Sequence, residues 1–118
     1  MDDKTIIGLI GERETARYLM KKKYKIIDGN YTDYFGNEID VIAEKKGVIH
    51  FIETKTRQQS DFSRPADYVD KRKEENVKSC AAHFMNMKKY KGKFQFDIME
   101  VIMNGKEVVE VNLIENAF

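Results

Sequence analysis

A chain of 118 residues has room for one hydrophobic core and is too short for two, and its 42% apolar and 35% charged residues with a single proline mark a folded globule, not a disordered chain. Its 21 basic and 20 acidic side chains leave a formal charge of +1, which excludes a long-range field that would by itself announce a nucleic-acid binder; binding of that kind has to come from local patches. No run approaches the roughly 20 apolar residues of a membrane-spanning helix.

The opening Met1-Asp2-Asp3-Lys4 and the apolar run Ile6 to Ile10, broken by Glu12 and Arg13, have neither the basic start nor the length of a secretion signal, which predicts a cytoplasmic protein. From Thr5 to Lys22, apolar residues at Ile6, Leu9, Ile10, Ala16, Leu19 and Met20 follow the spacing of an amphipathic helix. Tyr24 to Tyr31 reads as a short strand. Gly36-Asn37 is a turn pair, because both residue types tolerate positive φ. Glu38 to Glu44 and Val48 to Thr56 are strand-like runs joined by the tight Lys45-Lys46-Gly47 connection, which implies an antiparallel meander. Gln58 to Pro65 is polar and predicts a loop. Beyond Pro65, Val69, Val77, Cys80, Ala81 and Phe84 return at helical spacing without an interrupting glycine or proline. Cys80 has no second cysteine to pair with, and with only His50 and His83 it makes a poor zinc set, so no structural metal is expected. Finally, Lys93 to Met103 and Lys106 to Leu113 flank Asn104-Gly105, the dipeptide that most favours a type I′ hairpin. The predicted fold is a single α/β domain over residues 1–118, in the order helix, three strands, helix, two strands. A right-handed crossover through the second helix gives a mixed sheet flanked by helices.

Side chains two apart on a strand share a face, so Glu53 and Lys55 project together while Ile52, Thr54 and Thr56 point the other way. The same rule aligns Glu38, Asp40 and Ile42, and a reverse turn near Lys46 brings Asp40 toward Glu53. Two carboxylates held close repel unless a cation lies between them, and hard oxygen ligands favour Mg²⁺ or Mn²⁺. Such an ion polarises a phosphoryl oxygen and activates water, with Lys55 placed to stabilise developing charge. Against this stands the plain alternative of solvated charges on an exposed sheet face. Glu12 falls with Leu9, Ala16 and Leu19 on one helical stripe, facing inward either to complete a metal site or to form a salt bridge. Gly8 and Gly11 in the same turns suggest close approach of a backbone or ligand. Lys73 lies on the second helix's apolar stripe, where its stem covers apolar surface or its amine meets phosphate. The clusters Lys21-Lys22-Lys23, Lys71-Arg72-Lys73 and Lys88-Lys89 with Lys91 and Lys93 are solvated faces, or join Arg57 in neutralising backbone phosphates. His50 and His83 show no partners in the sequence and are assigned to core or surface roles.

Taken together, Gly8 to Leu19, Asn37-Glu38-Ile39-Asp40-Val41-Ile42-Ala43, Phe51-Ile52-Glu53-Thr54-Lys55-Thr56-Arg57, Lys73 ahead of Ala81-Ala82, Phe96-Asp97 and the closing Asn116-Ala117-Phe118 resemble the YraN-like family. That family is grouped with the PD-(D/E)xK, restriction-endonuclease-like nucleases and is similar in motif layout to archaeal Holliday-junction resolvases. The resemblance implies that Glu12, Asp40 and Glu53 are metal ligands or their supports, that Thr54 offers only its backbone carbonyl to the ion, and that Lys55 is the catalytic lysine. It further implies a DNA substrate, branched or structured, for which the basic residues Arg57, Arg72 and Lys73 are the expected phosphate contacts. A homodimer would suit a junction cutter. Asn37 stands where the family usually has glycine, and asparagine tolerates the left-handed geometry such a turn needs. Two functions are therefore expected in order: an Mg²⁺- or Mn²⁺-dependent endonuclease, or a nuclease-fold module that binds nucleic acid or a protein partner without cutting.

Overall fold

The computed structural model describes residues 1–61 and 70–118. The elements are α1 (Asp3–Lys21), β1 (Lys25–Thr32), β2 (Glu38–Lys45), β3 (Val48–Gln58), α2 (Lys71–Met87), β4 (Lys93–Asn104) and β5 (Glu107–Ile114), in the order expected from the sequence. Both helices start at an aspartate cap: Asp2 accepts from the Thr5 amide at 2.7 Å and Asp70 from the Lys73 amide at 2.8 Å, each supplying an acceptor to an otherwise orphaned first-turn donor. Val69 and the stretch from Phe62 to Pro65 in the expected polar loop lie outside the described residues.

The five strands form one sheet in the order β1-β2-β3-β4-β5, antiparallel throughout except for the parallel β3–β4 pair. A parallel pair needs a crossover, and α2 supplies it. At the β2–β3 hairpin Lys46 and Gly47 have φ of 51° and 77°, the pair of positive values that a type I′ turn requires. The last hairpin differs from its prediction. Asn104 pairs with Glu107, so Gly105 and Lys106 form the turn, and only Gly105 has positive φ (63°). That sign pattern is the one of a type II′ turn, with glycine first, and it lets Asn104 stay in the ladder. In the β1–β2 turn, likewise, Gly36 alone takes the left-handed conformation (φ 83°). Asn37 instead donates its amide and side-chain nitrogen to Asp33 at 3.0 and 2.9 Å, so it serves the turn through hydrogen bonds, not through a left-handed backbone.

The sheet separates two apolar layers. On one side α2 sets Val77, Cys80, Ala81 and Phe84 against Ile39, Ile42, Ile49, Phe51 and Phe96. On the other, Leu19 of α1 packs on Val41, Ala43, Ile52, Met99, Val101 and Met103. Residues 51 and 52 alternate between the layers as the pleat dictates. Strand β2 breaks the rule, because Ile39 and Ile42, three apart, pack in the same layer, and Asp40 lies in the irregularity between them.

The expected inward stripe of α1 is displaced by one residue. Leu9 is 50% exposed and Glu12 is exposed too; the buried line is Gly11, Thr15 and Leu19. A Cβ on Gly11 would overlap the Thr56 methyl, so glycine lets the helix settle on β3 at this point, and Thr15 fixes the contact with a 3.0 Å hydrogen bond to the Thr54 hydroxyl. Gly8 meets nothing within 4 Å, so only one of the two glycines marks a close approach.

Candidate active site

The site forms where β2 and β3 part. Their ladder runs from Lys45↔Val48 to Val41↔Ile52. The next outward-facing β3 amide, that of Thr54, donates to the Asp40 carboxylate at 2.9 Å. The aspartate side chain thus takes the place of a backbone carbonyl and holds the gap open. A strand residue's N–H and C=O point to the same edge, so the Thr54 carbonyl opens toward Asp40 as well, while its hydroxyl is engaged with Thr15 on the opposite side.

Glu53 lies in the α2 layer next to Phe51 and is 2% exposed. Its Oε2 is 3.6 Å from the Lys73 amine. Its Oε1 is buried with no hydrogen-bond partner among the described residues. A carboxylate so placed resists ionisation: burial first, and the Asp40 charge second, push its pKa from 4.5 up to about 7, while Lys73, the Asp40 amide and Lys55 pull the other way. Glu12 approaches the same aspartate from the α1 layer and rests at the rim. Its pKa is raised by partial burial, then by Asp40 and Glu38. Asp40 therefore stands between two acids that come from opposite faces of the sheet.

Lys55 is two residues beyond Glu53 on the same face and pairs in register with Glu100 of β4. Glu100 is 5% exposed and receives Arg57 Nε at 3.3 Å and Asn112 Nδ2 at 3.3 Å. Arg57 also donates to the Asp61 carbonyl at 2.7 Å, so its guanidinium is held against the site's floor, not extended toward solvent. The Lys73 amine, weighed for stem packing or a phosphate contact, faces the Glu53 carboxylate. Arg72, one residue earlier, is exposed. Glu100 was missed in the sequence, although two acids, Asp97 and Glu100, inside the apolar run Phe96 to Met103 are the signal that could have found it.

Both histidines have partners, contrary to the sequence reading, because each partner comes from a distant segment. His50 Nδ1 lies 2.6 Å from Asp97 Oδ2, and His83 Nδ1 lies 2.6 Å from the Tyr31 hydroxyl. His50, Asp97 and Glu115 hold ligand atoms within 4.8 Å of one another, the only such trio among the described residues. Asp97 is already committed there, accepting also from Gln95 and the Asn116 amide, so this cluster reads as a structural clasp for the chain end. The oxygens of Glu12, Asp40 and Glu53 are spread more widely. A divalent ion would find its ligands in Asp40, Glu53 and the Thr54 carbonyl, with Glu12 acting from the rim. These donors fit a hard cation: the orphaned Glu53 Oε1 lacks the positive partner that an ion supplies, and every donor is oxygen.

Residues 11–101 match the model of a family described as uncharacterised protein family UPF0102. The chain is 36% identical over 118 residues to a UPF0102 protein of Caldicellulosiruptor saccharolyticus, covering 98% of this chain and 99% of that one. It is 39% identical over 113 residues to one of Alkaliphilus metalliredigens, covering 95% and 96%. To one of Caldanaerobacter subterraneus subsp. tengcongensis it is 39% identical over 121 aligned positions, covering 98% and 97%.

Proposed function

The chain belongs to the uncharacterised protein family UPF0102, and from that premise and the arrangement around Asp40 we propose that it is a divalent-metal-dependent endonuclease that hydrolyses DNA phosphodiester bonds, on branched or otherwise structured DNA. The observation that carries this reading is the buried Oε1 of Glu53 beside Asp40, without a partner among the described residues, with Lys55 on the same strand face. When bound, Mg²⁺ or Mn²⁺ would polarise a phosphoryl oxygen and lower the pKa of a coordinated water. The chain's own residues do the remaining work. Asp40, fixed by the Thr54 amide, and Glu53 would hold the ion. Lys55 neutralises charge that develops on the phosphate. Glu100 anchors Arg57, and the basic residues Lys71, Arg72 and Lys73 at the start of α2 offer phosphate contacts beside the cut.

One observation favours a second reading, a nuclease-fold module that binds without cutting. Lys73 already sets an amine 3.6 Å from Glu53, and an amine can partly stand in for a metal charge. The two readings separate in one experiment. Purified protein is incubated with labelled duplex, single-stranded, flap and four-way-junction DNA in Mg²⁺, in Mn²⁺ and in chelator. Metal-dependent cutting of at least one substrate is expected, with Asp40→Ala and Lys55→Ala each slower by roughly a hundredfold or more. No cutting by the wild type, or equal cutting by Asp40→Ala, removes the enzymatic reading and leaves the binding module.

A further inference from the structure

The near-neutral total charge hides a polar distribution that the topology creates. Helix α1 ends where β1 begins, which gathers Lys21, Lys22, Lys23 and Lys25 at one junction. The β2–β3 turn carries Lys45 and Lys46. The connection from α2 into β4 carries Lys88, Lys89, Lys91 and Lys93. Ladder registers put all three at the same end of the sheet: Lys25 is paired with Glu44, Lys45 with Val48, and Val48 with Lys93. Side chains tie the junctions to each other. The Tyr90 hydroxyl donates to the Lys93 carbonyl at 2.6 Å and reaches the Gly47 carbonyl at 3.4 Å, and the Lys45 amine sits 4.8 Å from the centre of the Tyr24 ring. Ten of the chain's 21 basic residues therefore share one end, against Glu44 and Glu115 at the same strand ends. All but the half-buried Lys45 are exposed, and among the described residues none of the ten is in an ion pair. Such a collection repels itself, and no ion pair among the described residues accounts for it.

We propose that this end of the molecule is a second binding surface, separate from the acid site, that takes the sugar-phosphate backbone of duplex DNA without reading its sequence. From β1 across to β4 the lysines cover three interstrand spacings, about 14 Å. Duplex DNA presents a charge about every 1.7 Å along its axis, so roughly eight phosphate charges fall within that span. Lysine, a point charge on a flexible stem, suits contact with phosphate at any register, whereas base reading calls for planar forks, which none of these ten residues carries. Five strand residues, about 16 Å, separate Val48 at this end from Glu53, so this surface is distinct in space from the acids. The choice of DNA over other polyanions rests on the phosphodiester reading of the acid site; the concentration of unpaired cations does not.

The test is binding of a labelled duplex in chelator, so that no cutting occurs, across a salt series. The variant Lys22→Gln, Lys25→Gln, Lys91→Gln, Lys93→Gln removes four charges, keeps the stems and spares the left-handed positions Lys23, Lys46 and Lys89. Circular dichroism checks that it is folded. Complete engagement would lower the slope of log affinity against log salt by about 3.6, and a fall of about two or more, with affinity at least tenfold weaker at low salt, is the expected result. A smaller change in slope overturns the proposal. So does wild-type protein that binds phosphatidylserine vesicles but not duplex. Wild type that does not cut, with the fall in slope still seen in the quadruple variant, counts against the acid site alone; an unaltered slope with cutting intact counts against this surface alone.

Discussion

Glu53 gives the protein a pH dependence whose sign is fixed by its surroundings. Burial and Asp40 raise its pKa from 4.5 to about 7, so between those values the folded chain holds a proton that the unfolded chain has released. The contribution to stability is fully present below 4.5 and is lost as pH rises through about 7. At about 1.4 kcal/mol per pH unit the loss is on the order of 3 kcal/mol, a large part of the stability of a domain this size. Above that range the ionised carboxylate is a buried anion with one oxygen unpartnered among the described residues, and on the proposed metal assignment Mg²⁺ would supply the missing charge. At a hundredfold excess over its Kd the ion would return about 2.7 kcal/mol, and at high pH only. Urea unfolding at about pH 5.5 and about pH 8, with and without Mg²⁺, measures all four corners. The comparison with Glu53→Gln isolates this group from the other carboxylates, because the amide cannot ionise. Wild type that loses no more stability than Glu53→Gln on going to high pH would refute the desolvated carboxylate, and wild type that gains nothing from Mg²⁺ there would refute the metal assignment.

Three further outcomes follow from the packing. Gly11→Ala sets a methyl into Thr56 and is expected to cost about 1–3 kcal/mol despite alanine's better helix propensity, whereas Gly8→Ala, with open space around it, gains about 0.5–1 kcal/mol; chemical denaturation of the two variants should give opposite signs. Asp40→Ala strips the acceptor from the Thr54 amide and costs about 1–3 kcal/mol, while Asp40→Asn keeps an oxygen there and costs less, and hydrogen exchange at Thr54 should rank wild type, Asn and Ala in order of decreasing protection. Asp97→Ala leaves the donors of His50, Gln95 and Asn116 without their acceptor, and thermal unfolding should report a loss of about 3 kcal/mol or more.

Much of this architecture was legible in the one-dimensional pattern. Helical spacing located α1 and α2, the Ile- and Val-rich runs located the strands, and Lys46-Gly47 marked its hairpin, because each of these depends on contacts within a few residues. The acid and lysine of β3 could be placed on one face from the two-residue repeat alone. What the pattern could not reach depends on partners far along the chain. The inward face of α1 turned out to run through Gly11 and Thr15, since the helix settles where the Thr54 and Thr56 side chains leave room, and no periodicity within α1 encodes that. Asp97 became the partner of His50 and Glu100 the partner of Arg57 only when β4 was laid parallel to β3.

The amino-acid sequence by itself determined the elements, their order and the residue types able to carry hydrolytic chemistry, because local propensity and alternation act at short range. Only the tertiary structure decided that Asp40 lies past the end of the β2–β3 ladder and holds the Thr54 amide, that Glu53 is buried with one oxygen unmatched among the described residues, and that ten lysines from three separate junctions gather at one end of a chain whose total charge is +1. Strand register and layer packing set those relations, and both arise from contacts between segments that the linear order keeps apart.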